Sequence, residues 1–150
     1  MMYQFEVVSD KFRKHPLNEI QLPKRATKNA CAYDFYAPVD ACVFPHTSLL
    51  IWTDVKAHIP SKYMLMLNVR SSMGKYNVRL ANCAGWVDSD FYSNPDNDGN
   101  IGIFLRNDGD ENYVIHAGDR IAQGMIVKYY TMDGDETDAP RTGGFGSTGK

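Results

Sequence analysis

The sequence is short of several things, and each shortage removes a class of function. It has three cysteines, Cys31, Cys42 and Cys83, an odd count without a Cys-x-x-Cys pair. That pattern is no disulfide framework and reads as reduced thiols in a cytoplasmic protein. The four histidines (His15, His46, His58, His116) are scattered without ligand spacing, which argues against zinc. Neither sign of charge is in excess: the net charge is −2 and there is no basic block. A nucleic-acid surface is therefore not expected. No apolar run approaches the ~20 residues of a membrane span. The opening Met-Met-Tyr-Gln-Phe-Glu lacks the charged-then-apolar pattern of a signal peptide. Helical periodicity is nearly absent, and there are no internal repeats.

What is present is a series of short apolar runs broken by turn residues. Tyr3–Val8, Cys31–Ala37, Ala41–Phe44, Ser48–His58, Tyr63–Val69, Val78–Ala81, Ala84–Val87, Ile101–Arg106, Asn112–Ile115 and Ile121–Tyr130 read as strands. They recur about every ten residues, the spacing of an all-β sandwich or barrel. Val78–Ala81 and Ala84–Val87 would face each other across Asn82-Cys83 as a tight hairpin. Ser71–Tyr76 reads as one helical turn capped by Ser71 or Ser72. With 150 residues, one domain is the default and can bury a core without disulfides. Residues 1–130 would form the β core, and residues 131–150 a linker and a Gly-rich tail.

Four stretches carry candidate chemistry. The first is Trp86-Val87-Asp88-Ser89-Asp90-Phe91. Period-2 geometry puts Asp88 and Asp90 on one face of an extended chain, where Asp is rarely found without a use. A polar hairpin tip is the plain alternative. The second is Arg70-Ser71-Ser72, where a guanidinium and hydroxyls at a helix start suit phosphate oxygens; a helix cap beside a surface Arg is the plain alternative. The third is Gly118 to Gln123, with Gln123 polar inside an apolar run, either facing outward or placed to hold a phosphate oxygen or water. The last is the Gly-rich end from Arg141 to Lys150. It is either a flexible tail or a segment whose backbone amides wrap an anion. Phe145 favours the second, because an aromatic gains from closing over a base.

In order along the chain, Ala32-Tyr33-Asp34, Arg70-Ser71-Ser72, Gly85 to Gly99, Gly118 to Gln123, and Arg141 with Gly143 to Gly149 resemble the five motifs of the homotrimeric dUTPases. The resemblance covers nearly the whole chain, and Gly-Gly-Phe-Gly-Ser-Thr-Gly is its most specific part. It implies a distorted jelly-roll-like β fold with a flexible C-terminal tail, a homotrimer with shared active sites, and Mg²⁺-dependent hydrolysis of dUTP to dUMP and pyrophosphate. That reaction limits uracil incorporation into DNA and supplies dUMP for dTMP synthesis. Asp88 would activate the water that attacks the α-phosphorus, with Arg70 and Gln123 as further catalytic residues. Arg70, Ser71, Ser72 and Gln123 would hold phosphates. Asn82, Gly85 and Val87 would read uracil, and Phe91 would pack under the deoxyribose. Arg141, Gly146, Ser147 and Thr148 would hold the γ-phosphate while Phe145 covers the base. No side chain is implied as a direct metal ligand; Asp34 would act through a metal-bound water.

Three departures from the family pattern stand out: Ala32 in place of Gly, Phe91 in place of Tyr, and an insert from Tyr92 to Asp98 that reads as a surface turn. Two rivals remain. A dCTP deaminase of the same fold would need a Glu where Phe104 stands. A regulatory module would use the fold, and the 92–98 insert, to bind a protein partner.

Overall fold

Alternation along the strands decides which faces are buried. In Tyr63–Asn68 the inward residues are Leu65 and Leu67. In Gly102–Asn107 they are Ile103, Leu105 and Asn107, while Phe104 points out. Period 2 sends such residues to one side of the pleat. The computed structural model describes residues 2–146. Its strands are β1 (Gln4–Val7), β2 (Tyr33–Tyr36), β3 (Ala41–Val43), β4 (Ser48–Trp52), β5 (Val55–His58), β6 (Tyr63–Asn68), β7 (Val78–Leu80), β8 (Gly85–Asp88), β9 (Gly102–Asn107), β10 (Tyr113–Ile115) and β11 (Arg120–Lys128). Among the described residues helix is limited to three short 3₁₀ turns, Asp10–Phe12, Ser71–Tyr76 and Ser89–Phe91. The all-β reading therefore holds.

The strands form a four-stranded sheet in the order β2-β11-β6-β8, a three-stranded sheet β4-β9-β7, and the pairs β1-β5 and β10-β3. Every ladder is antiparallel. The buried apolar side chains, with Phe35, Leu65, Leu67, Ile103 and Leu105 among them, make one cluster. Each such side chain contributes about 1.5–3 kcal/mol by leaving water. Gly124 lets β11 press onto this cluster. A Cβ there would lie 2.9 Å from atoms of both Leu65 and Leu67 and 3.1 Å from Phe35, closer than packed side chains tolerate.

Two local expectations are corrected. Val78–Leu80 and Gly85–Asp88 do not pair with each other. β7 pairs with β9 and β8 with β6, so the corner at Asn82-Cys83 carries the chain from one sheet to the other. A turn does bend there: the Cys83 amide donates to Leu80 O (3.0 Å) and Cys83 takes φ +66°. Nor do the serines cap the turn at Ser71–Tyr76. Its N-cap is Arg70, without a side-chain cap bond, and Ser71 and Ser72 are exposed.

Candidate active site

The switch of sheets at Asn82-Cys83 opens a cleft between β8 on one side and β7 and β9 on the other. Its volume is about 220 Å³. Asn82, Gly85, Trp86, Val87 and Asp88 form one wall, Leu80 and Ile101 to Phe104 the other, and Phe91, Arg141 and Gly144 to Gly146 the mouth. Of the residues that the sequence assigns to one nucleotide, the fold brings Asn82, Gly85, Val87, Asp88, Phe91, Arg141, Phe145 and Gly146 to this cleft, but not Arg70, Ser71, Ser72 or Gln123. The apolar wall from β7 and β9 is not visible in the sequence, because its residues read as ordinary strand core.

β8 lies at the edge of its sheet, paired on one side only among the described residues, with Met64↔Asp88 and Leu67↔Gly85 in register. Its other side presents backbone N–H and C=O groups to the cleft, the arrangement that pairs with an incoming amide-like edge. The in-plane N–H and flanking carbonyls of a cyclic imide offer such an edge. Phe91 stands half-buried at the mouth with the Arg141 guanidinium 5.8 Å from its ring centre.

Asp88 and Asp90 do not alternate along one strand as expected. β8 ends at Asp88, and Ser89–Phe91 forms a 3₁₀ turn. The two carboxylates still converge, because both accept from Arg141: Nη2 to Asp88 Oδ2 at 2.6 Å and Nε to Asp90 Oδ1 at 2.7 Å. Arg141 is largely covered, whereas each carboxylate is more than half exposed. Water screens such a pair, so it is a contact that a more highly charged ligand can replace. Beyond Arg141, Phe145 packs edge-on against Trp52, with centroids 5.6 Å apart. Within the chain, the tail therefore lies against the Asp88–Asp90 turn and the end of β4. Ser147 and Thr148 lie outside the described residues.

A second cluster sits elsewhere on the four-stranded sheet. Register places Gln123 between Asp34 on β2 and Asn68 on β6. Arg70 Nε lies 3.0 Å from Asp34 Oδ1, and Arg120 Nη1 donates to Asp34 Oδ2 at 3.5 Å. Gln123 Nε2 donates to Val69 O at 3.2 Å. Arg70, Ser71, Ser72, Gln123 and Asp34 are therefore neighbours, as expected, and Arg120 joins them. Its sequence signal is a cation two residues after Gly118, which by itself points to no role. Among the described residues no three of His, Cys, Asp and Glu converge as a metal cage. The side chains here are two guanidinium groups, an amide and two hydroxyls around one carboxylate, a set that suits phosphate oxygens rather than a directly bound metal ion.

The 92–98 insert is drawn into the body, contrary to a plain surface turn. Asn94, Asp98 and Asn100 are buried. Asp98 accepts from Lys56 Nζ (3.0 and 3.1 Å) and from the Ser9 amide (2.8 Å). Burial alone would raise the Asp98 carboxyl, but the Ser9 amide and the Lys56 ammonium outweigh it and hold it below its ordinary value. Asn100 accepts from the Asp54 amide and donates to Asp54 Oδ1.

Comparison with known proteins agrees with this layout. Residues 18–149 match the family model for dUTPase. A deoxyuridine 5'-triphosphate nucleotidohydrolase of Lactococcus lactis subsp. lactis is 39% identical over 148 residues, covering 97% of this chain and 96% of the relative. The dUTPase from Streptococcus mutans superposes with a TM-score of 0.74 at 32% identity, covering 87% of this chain and 98% of that one. A mutant dUTPase from phage phi11 of S. aureus, described with a structural Mg(II) ion, shares the fold (TM-score 0.69, 21% identity, 93% and 98% covered). With the motif-bearing residues gathered into one cleft and one polar cluster, the chain belongs to the dUTPase family.

Proposed function

We propose that the protein hydrolyses dUTP to dUMP and pyrophosphate. The carrying observation is the cleft in which the edge backbone of β8, Asp88, Phe91 and the tail residues Arg141 and Phe145 face one volume. Uracil would pair with the β8 edge, and a base with donors and acceptors exchanged would leave those groups unpaired. Phe91 would lie under the deoxyribose, where a 2′-hydroxyl loses its water without a partner. The Asp88 carboxylate would take a proton from a water whose oxygen attacks the α-phosphorus. The bond to the bridging oxygen breaks and pyrophosphate leaves. A divalent ion, Mg²⁺, would neutralise charge on the phosphates, and this chain's part is to position them.

The site would be shared in a homotrimer. Asp88 is in register with Met64, while the phosphate-type residues gather beyond the other end of β6. Met64 and Arg70 are six residues apart, roughly 20 Å along an extended chain at ~3.3 Å per residue. A general base must lie within about 3 Å of its water, so one chain's Arg70 does not reach phosphates attacked beside its own Asp88. A neighbouring subunit supplies Arg70, Ser71, Ser72 and Gln123 to the cleft. Pyrophosphate release measured with dUTP, dTTP, dCTP and UTP, with and without Mg²⁺, tests the reading. Release confined to dUTP is expected; ammonia release from dCTP would favour the deaminase instead.

A further inference from the structure

The insert between Tyr92 and Asp98 has no part in the chemistry above, yet it touches the tail that closes the cleft. The Gly144 amide donates to Asp96 Oδ2 at 3.3 Å. A Cβ on Gly144 would meet Asn97 Nδ2 at 3.0 Å, Asn97 Cγ at 3.2 Å and Asp96 Oδ2 at 3.3 Å. Gly144 is buried, although the residues from Thr131 to Pro140 that lead to it are all exposed.

The surface that receives Gly144 is held firmly from behind. Asn97 Oδ1 accepts from Asn94 Nδ2 (2.7 Å) and the Gly99 amide (3.0 Å), and Asn97 Nδ2 donates to Asn100 O (3.2 Å). Asn94 Oδ1 accepts from the Asp96 and Asn97 amides, both at 3.1 Å. Asn94 Nδ2 also donates to Phe91 O at 2.8 Å. Lys56–Asp98 and Asp54–Asn100 fix the frame to the body. Asp96, by contrast, is exposed and serves the tail.

We infer that Asp96 and Asn97 of the insert are positioning residues for the dUTPase reaction: they form a ledge that seats Gly144 and so sets Phe145 and Arg141 over the cleft. The size of Gly at position 144 follows, since a side chain would be forced against the Asn97 amide. The link from Asn94 to Phe91 O couples the ledge to the wall under the sugar. The inference rests on the proposed function only for its kinetic arm.

The test uses the full-length protein. Trypsin cuts after Arg141 only when the tail lifts, and loss of residues 142–150 is read by intact mass. Asp96→Ala removes one hydrogen bond to a carboxylate and is expected to speed that cut about threefold to tenfold. Asp96→Asn keeps an oxygen acceptor and should restore most of the protection. Gly144→Ala should speed the cut by a similar factor. With dUTP, Asp96→Ala should raise KM several-fold with kcat changed less, and leave the thermal midpoint where it was. The proteolysis arm needs no nucleotide, so it stands even if dUTP is not the substrate. Unchanged cutting in both Asp96→Ala and Gly144→Ala overturns the ledge, as does a cut accelerated equally by Asp96→Asn.

Discussion

The separation of Asp88 from Arg70 makes a quantitative prediction about mixed trimers. Take one variant with Asp88→Asn and a second with Arg70→Gln, which leaves Arg120 beside Asp34. Each homotrimer lacks one half of every site and should be inactive. In a cyclic trimer each cleft faces one neighbour's phosphate cluster. A mixed trimer of either composition therefore holds one site in three with an intact cleft and an intact cluster. Random 1:1 reassembly makes about three quarters of trimers mixed, so activity should return to about one quarter of wild type. The two variants are unfolded together, refolded, and assayed for pyrophosphate release, with native mass spectrometry confirming mixed trimers. No recovery in the presence of mixed trimers would mean that one chain builds its own site. The distance along β6 would then have been bridged in a way the register does not allow. A third chain, truncated before Arg141, reports the donor of the tail. Paired with Asp88→Asn, it recovers nothing if Arg141 serves the Asp88 of its own chain, the contact present within the single chain. It recovers about a quarter if the tail crosses to a neighbour.

Three further outcomes can be stated. Asp88→Asn should lower kcat by about 10²–10⁴-fold, the usual worth of a general base, while dUTP binding measured by calorimetry stays within a few-fold; retained turnover removes Asp88 from that role. Phe91→Ala should cut the ratio of kcat/KM for dUTP over UTP by at least about fivefold, because a 2′-hydroxyl is no longer left unsatisfied, and an unchanged ratio would reject the ring as the sugar gate. Asp98→Asn should destabilise the fold by about 3 kcal/mol in urea unfolding at pH 7, since it leaves Lys56 buried without its counter-ion. The folded Asp98 carboxyl lies below its unfolded value. Its stabilisation is therefore present above about pH 4 and is lost as pH falls through the folded value, so the gap between wild type and Asp98→Asn should close only below that point.

The sequence made some of this legible and hid the rest for physical reasons. Tyr63–Val69 is readable as a strand because it is a short, nearly continuous apolar run ending before a polar segment; which of its faces is buried shows only in the fold. The phosphate cluster was readable as types of residue: Arg70, Ser71, Ser72 and Gln123 suit anions wherever they sit. What joins them is the register of β11 between β2 and β6, and register is a long-range property that no local pattern contains. The Asn82-Cys83 corner shows the same limit. Its turn chemistry was read correctly, but a turn does not say with which strand each arm will pair. The cleft exists because the arms part company. The insert misled more deeply. Asn-Pro-Asp-Asn-Asp-Gly has the composition of a solvated turn, and nothing within it announces that Lys56, Ser9 and Asp54 will pull Asp98 and Asn100 inward. Once they do, the remaining Asp96 and Asn97 are held still at the one place where Gly144 arrives. A polar loop made rigid by distant partners then becomes part of the site that closes over the nucleotide, which is why its role lies in the fold and not in its own residues.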